Sequence, residues 1–243
     1  MKWPADDQAK LIAFYGDPGT GEPGRQLVKV IPPFQMYYDG TPLSGLSFHK
    51  LAAPALTAVL NQIWEHYGRD QATIDRLGVS RTAGTYNPRE VRGSATKWSN
   101  HAYGAAIDIN AEENGFNVSG NIPIPVICAF KAQGFRWGGD YKGRTDPMHF
   151  EACASGEPQR SFEEWMTFYG AEARTATDTP LLRKGAHGEA VKRLQTLLNV
   201  HGAVLKVDGD FGPVTLVSVQ AFQRVHDLDP DGIVGDRTWE KLK

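Results

Sequence analysis

The chain has only two cysteines in 243 residues, Cys128 and Cys153. This excludes a disulfide framework, and a chain of this length buries enough apolar surface to fold without one. One bridge or two buried free thiols remain open, and the burial habit of free cysteine favours the thiols. Charge of one sign is also lacking. With 26 Lys and Arg against 28 Asp and Glu, the net charge is −2, so no positive excess marks a nucleic-acid or anionic-membrane partner. No apolar run approaches the ~20 residues that span a bilayer. The opening Met1-Lys2-Trp3-Pro4-Ala5-Asp6-Asp7 lacks the apolar core of a secretory signal. What is present is a globular composition, 41% hydrophobic and 22% charged, with 26 Gly and 15 Pro that imply many turns. The length predicts one domain plus a smaller one.

The first fifty residues read as loops and short strands. Leu27-Val28-Lys29-Val30-Ile31 is a strand stopped by Pro32-Pro33. A helix is expected to open at His49, because Leu56, Val59, Leu60, Ile63, Trp64 and Tyr67 recur at helical spacing as one buried stripe. His49 and His66 read as surface or capping residues. Residues 74–93 lack that period and predict a strand or extended loop. Residues 125–133 predict a short helix stopped by Gly134, then a strand at Phe135-Arg136-Trp137 and a turn at Gly138-Gly139-Asp140.

Two stretches carry the chemistry, Ser99-Asn100-His101-Ala102-Tyr103-Gly104-Ala105-Ala106-Ile107-Asp108 and Asp146-Pro147-Met148-His149-Phe150-Glu151. Together His101, Asp108 and His149 make the donor set of a zinc site that keeps a fourth position open. Alternation along a strand sends Ile107 and Ile109 to the core and displays Asp108 on the other face. His101 precedes Gly104 in a turn that folds the chain back beside Asp108. Met148 and Phe150 are expected to be buried, with His149 and Glu151 sharing the opposite face. Asp146, three residues before His149, is placed to take a proton from water, and Glu151 to orient an imidazole. Cys153 is near in sequence, but a fourth protein ligand would close the site. Arg81, Arg89 and Arg92 lie just ahead of the first stretch. One guanidinium there can hold a substrate carboxylate or a developing oxyanion, and at least two of the three are expected to be solvated.

Residues 161–169 predict a closing helix capped by Ser161, and residues 171–179, poor in large apolar side chains, a linker. Beyond it the pattern repeats. Asp208-Gly209-Asp210-Phe211-Gly212-Pro213-Val214-Thr215 and Asp231-Gly232-Ile233-Val234-Gly235-Asp236-Arg237-Thr238 share Asp-Gly-x-x-Gly-x-x-Thr, offset by 231 − 208 = 23 residues. Each opens a helix, which makes residues 180–243 a three-helix unit with no catalytic cluster; His187, His201 and His226 read as surface groups.

The paired motifs around His101, Asp108 and His149 resemble the zinc D-Ala-D-Ala carboxypeptidase and L-alanyl-D-glutamate endopeptidase family, most of all its bacteriophage-endolysin branch, over roughly residues 45–155. The resemblance implies an α+β catalytic domain (residues 1–170) with a central antiparallel sheet of hedgehog/DD-peptidase type. It implies Zn2+ on His101, Asp108 and His149, Asp146 as the catalytic base, and Arg81 as the active-site arginine with Arg89 its competitor. Some relatives carry Glu at the base position, so the shorter Asp146 alters the reach. The tail is similar to a three-helix peptidoglycan-binding domain carrying the same repeat. The expected activity is hydrolysis of an amide bond in the stem peptide or cross-link of bacterial peptidoglycan, with removal of terminal D-Ala as the alternative and a non-catalytic wall-binding protein as a third reading. The expected partner is peptidoglycan, with no nucleic acid, no membrane insertion and a monomeric state. The expected place of action is the cell wall, reached through holin-mediated lysis or delivery by a particle.

Overall fold

The computed structural model describes residues 3–94, 96–118, 120–175 and 179–243. Met1 and Lys2 of the N-terminal reading and residues 176–178 of the expected linker lie outside that set. The chain divides into two compact units, Met1–Phe162 and Glu163–Lys243. The first runs α1 (Gln8–Tyr15), β1 (Leu27–Val30), β2 (Tyr37–Tyr38), β3 (Thr41–Pro42), β4 (Leu46–His49), α2 (Ala53–His66), α3 (Gln71–Arg76), β5 (Thr82–Gly84), β6 (Ala106–Ile109), α4 (Ile124–Ala132), β7 (Arg136–Trp137) and β8 (His149–Glu151). Tight 3-10 turns at Asn100–Tyr103 and Gly138–Asp140 complete the parts that matter for the site.

A four-stranded antiparallel sheet in the order β5-β6-β8-β7 positions the chemistry. Its register sets Ile107 opposite Phe150 and Asp108 opposite His149. Ile107 and Phe150 are fully buried, and the Phe150 ring stacks on Phe130 of α4 at 3.9 Å. Helix α4 packs in turn on α2, whose Leu56, Val59, Leu60 and Ile63 are all sealed from solvent. Burying side chains of this size contributes about 1.5–3 kcal/mol each. A one-residue slip would turn Asp108 and His149 into that apolar layer, so the register is held from behind.

Several expectations shift. His49 ends β4 instead of opening a helix; it is buried, with Nε2 3.1 Å from the Tyr15 carbonyl. Helix α2 starts at Ala53, with Pro54 in its first turn, where the missing N–H costs nothing. The end of helix α3 overlaps residues 74–76, the first of the stretch read as extended. Six residues are too few to show a period, and its start is fixed by the Asp70 carboxylate accepting from the Ala72 and Thr73 N–H groups. Both cysteines are free and buried.

Helix α5 (Phe162–Thr175) begins as expected but continues through residues read as linker. Ala, Glu and Arg there are good helix formers, and a lack of large apolar groups does not stop a helix. The second unit then adds α6 (Glu189–Val200), α7 (Pro213–Val225) and α8 (Asp236–Leu242) around a core that includes Leu194, Leu197, Phe211, Val219, Phe222 and Trp239.

The repeated motif has a physical cause. Gln195 of α6 is buried inside the first loop: its Nε2 donates to Asp208 Oδ1 (2.8 Å) and the Asp210 carbonyl (3.0 Å), while its Oε1 accepts from Gly209 N–H (2.9 Å). Gln223 of α7 does the same in the second loop, to Asp231 Oδ1 and the Ile233 carbonyl (both 3.0 Å), accepting from Gly232 N–H (2.9 Å). Thr215 and Thr238 close each set. Each Asp-Gly-x-x-Gly-x-x-Thr loop is thus a wrapping around one buried amide. Gln195→Leu keeps the volume and strands these partners, at about 1–3 kcal/mol for each group left buried and unpaired. The second unit is expected to melt earlier in a thermal scan of the full chain, and an unchanged melt would show that the loop holds itself.

Candidate metal centre

Three different local structures present the three donors. His101 sits in the Asn100–Tyr103 turn, which Gly104 ends in the left-handed region (φ 64). A side chain at Gly104 would strain this left-handed backbone, and its Cβ would push the Leu27 side chain aside. The turn is tied to β4 by the His49 N–H donating to the Gly104 carbonyl at 2.7 Å. Asp108 on β6 and His149 on β8 are cross-strand neighbours facing away from the helices. His101 Nε2 lies 3.1 Å from Asp108 Oδ2, His149 Nδ1 lies 2.8 Å from Asp108 Oδ1, and the two ring nitrogens are 3.2 Å apart. One donor atom from each residue falls within 4.8 Å of the others, and all three residues are buried.

The outward nitrogens fix what the inward ones present. His101 Nδ1 faces the Thr85 carbonyl at 3.3 Å, which only accepts, so Nδ1 carries the hydrogen and Nε2 turns a lone pair inward. His149 Nε2 faces Glu151 Oε2 at 3.3 Å. Burial works to raise the Glu151 pKa, but hydrogen bonds with His149, Tyr141 and Asn100 and the His149 charge bring it down to about 2, an ionised acceptor. His149 therefore turns Nδ1 inward. Once His149 gives up its Nδ1 proton in favour of a cation, two lone pairs and a carboxylate converge on one point. Burial likewise opposes charge on Asp108 and His149, yet hydrogen bonds with His101 and His149 hold the Asp108 pKa below the ordinary carboxylate range, and hydrogen bonds with Asp108 and Glu151 raise that of His149 to about 10. The cluster demands positive charge at its centre, and the borderline donor set of two imidazoles and one carboxylate fits a zinc ion.

Glu151 is itself held by its neighbours. Tyr141 Oη donates to Oε1 at 2.6 Å, Asn100 Nδ2 donates to Oε2, and Arg136 Nη1 approaches Oε1 at 3.4 Å. Of these, only Asn100 lies in a recognisable motif; Tyr141 and Arg136 carry no sequence signal.

Asp146 is buried beside the cluster, and its Oδ1 has no hydrogen-bond partner. Burial, followed by the Asp108 charge, raises its pKa to about 6. Its backbone is fixed by donation to the Gly138 carbonyl at 2.9 Å, and a Cβ on Gly138 would strike the Asp146 carbonyl. Lys131 braces this turn from α4, with Asp140 Oδ2 at 2.6 Å and Glu157 Oε1 at 2.9 Å.

His101, Asp108, Asp146, His149 and Glu151 all line one cleft of about 810 Å³. Met148, expected to be buried, is half-buried and lines it too. Arg81 does not. It pairs with Glu112 (3.3 Å) and Glu113 (2.5 Å) in a separate hollow beside Tyr37 and Tyr38. Its competitor Arg89 does line the cleft, as do Arg92 and Arg144.

Residues 92–152 match the family model described as D-alanyl-D-alanine carboxypeptidase, and residues 187–242 match the one described as "Putative peptidoglycan binding domain". Two separate stretches of the chain are thus similar, the first to D-alanyl-D-alanine carboxypeptidase and the second to a peptidoglycan-binding domain. It is 44% identical over 64 residues to the zinc D-Ala-D-Ala carboxypeptidase of Streptomyces albus G, covering 25% of each chain. It is 49% identical over 69 residues to an uncharacterized protein of Kitasatospora aureofaciens, covering 28% of this chain and 58% of that one. The chain therefore spans between a quarter and about three-fifths of these relatives. Among solved structures, a Burkholderia AP3 phage endolysin matches at 42% identity and a TM-score of 0.26, over 26% of this chain and 25% of that one.

Partners that orient a ligating imidazole are worth about 10–100-fold in metal affinity. Glu151→Gln is expected to weaken zinc binding by that order in a competition titration with a chromophoric chelator. An unaltered affinity would show that Glu151 does not orient His149.

Proposed function

We infer that the protein is a zinc-dependent peptidase that hydrolyses an amide bond in the stem peptide or cross-link of bacterial peptidoglycan. The convergence of His101 Nε2, an Asp108 oxygen and His149 Nδ1 beside the unpartnered Asp146 carboxylate carries this reading. Residues 1–170 would form the catalytic domain and residues 180–243 the wall-binding one, joined at 171–179. The wall and its peptides are the proposed partner and place of action, and the monomer the proposed state. No helix among the described residues is long and apolar enough to cross a membrane.

His101, Asp108 and His149 are the residues that would hold the metal. When bound, zinc supplies a Lewis acid that polarises a carbonyl and acidifies water. The remaining work falls to the chain's own groups. Asp146 Oδ1 takes the proton of the attacking water and returns it to the leaving amine, a role that suits a carboxylate with a pKa of about 6. The Gly138–Asp140 turn keeps that oxygen aimed, and Glu151 keeps His149 in the tautomer that presents Nδ1. Arg81, paired away from the cleft, has no part in this scheme. The binding domain holds the enzyme against its polymer and raises the local substrate concentration. That service suits internal cleavage of assembled wall, so endopeptidase action is placed ahead of removal of terminal D-Ala.

Two substitutions and one product analysis test the reading. His149→Ala is expected to lose zinc and hydrolysis together. Asp146→Asn is expected to keep zinc and lose turnover by about 10²–10⁴-fold, the usual worth of general acid–base catalysis. Full hydrolysis by Asp146→Asn removes it from the base role. Mass spectrometry of digested sacculi should show split stems or cross-links, whereas release of free D-Ala alone would make the protein a carboxypeptidase.

A further inference from the structure

The cleft holds cations that the hydrolytic scheme does not use. Lys97 and Arg136 are engaged by acids: Asp6 lies 3.5 Å from Lys97 and 2.8 Å from Arg136, and Glu151 lies 3.4 Å from Arg136. Arg92 and Arg144 are different. Both line the cleft, as do Arg89 and Lys142, and among the described residues none of these four forms an ion pair; Phe116 is what sets Arg92 and Arg144 apart. Both are gathered on one ring, with the Arg144 Cζ 3.9 Å and the Arg92 Cζ 5.8 Å from the centre of Phe116.

This grouping is built by the fold from three separate loops. The Asn117 N–H donates to the Thr145 carbonyl at 2.9 Å, which ties the loop of Phe116 to that of Arg144. Asn114, fully buried, anchors the same loop: its side chain donates to the Asn110 carbonyl at 3.0 Å, and its own carbonyl accepts from Met148 N–H at 3.0 Å. Arg144 stands two residues before Asp146, and both line the same cleft, so a group held there shares the cleft with the metal cluster. A guanidinium stacked on an aromatic face keeps its edge N–H groups free, and that edge matches the two oxygens of a carboxylate.

We propose that Arg92 and Arg144, gathered on Phe116, form a carboxylate subsite at the mouth of the cleft, which selects substrate peptides bearing a free carboxylate near the scissile bond over the same peptides with that carboxylate amidated. The proposal rests on the peptidase reading of this cleft and deepens it. The site distinguishes walls by the chemistry of their stem peptides, because a carboxamide offers one acceptor and no charge where the guanidinium pair asks for two acceptors and a charge. Phe116 is a positioning residue, and the two arginines are the contacts.

The test uses a set of stem peptides in which each free carboxylate in turn is converted to its carboxamide. For the zinc-loaded wild type, one of these conversions should lower kcat/KM by about tenfold or more, the order of a lost charge-assisted hydrogen-bonded pair. In Arg144→Gln and Arg92→Gln that penalty should shrink or vanish, with KM raised for the free carboxylate and kcat changed little. Phe116→Leu, which keeps both charges but removes their platform, should fall between. A wild type that cleaves all amidated forms alike, or an Arg144→Gln that keeps the full preference, overturns the subsite. If the wild type cleaves none of the peptides, the peptidase reading fails instead. Calorimetric titration of the same peptides then decides the subsite, and a Kd indifferent to both amidation and Arg144→Gln overturns it.

Discussion

The antiparallel register of β6 against β8 is the constraint from which the rest of the site follows. It places a carboxylate and an imidazole directly across from each other on one face of the sheet, and Ile107 and Phe150 across from each other on the opposite face. The apolar pair is locked by Phe130 behind it. The polar pair is therefore presented by the same packing that stabilises the domain, and no loop has to find it. The remaining imidazole is supplied by a single tight turn, anchored through the Gly104 carbonyl to the neighbouring strand.

Around that pair the site is layered by charge. Inward-facing lone pairs and a carboxylate collect negative potential at one point, and Glu151 and the Thr85 carbonyl fix the imidazole tautomers from outside. Asp146 is kept apart from these contacts, buried without a partner for Oδ1. Burial of an acceptor with nothing to accept costs stability, and the proposed base role rests on this unpaired oxygen. The Gly138–Asp140 turn, braced through Lys131, holds it in place.

Much of this was legible in the chain. His101 and Asp108 are close in sequence, and strand alternation with one glycine turn suffices to bring them together. His149 and Asp146 were found because their spacing repeats a known motif, although their meeting with Asp108 depends on a pairing 41 residues away. What could not be read was set by longer-range partners. Arg81 looked like an active-site cation until Glu112 and Glu113, some thirty residues on, claimed it. His49 reads as a helix start because an apolar helical stripe follows it, while the pairing with Leu27 that keeps it in β4 lies 49 − 27 = 22 residues back. Arg144 and Phe116 gave no signal, since three loops bring them together. The repeat in the tail was visible, but its cause, a buried glutamine inside each loop, was not.

Whether two imidazoles and one carboxylate hold a single zinc ion decides the reading of this cleft. X-ray absorption spectroscopy on the zinc-loaded full chain tests it most directly. One zinc per chain is expected, surrounded only by nitrogen and oxygen at about 2.0–2.2 Å, with the imidazole scattering halved in His101→Ala. A sulfur shell near about 2.3 Å, which would bring Cys153 or Cys128 to the metal, or a spectrum unchanged by His101→Ala, would contradict it.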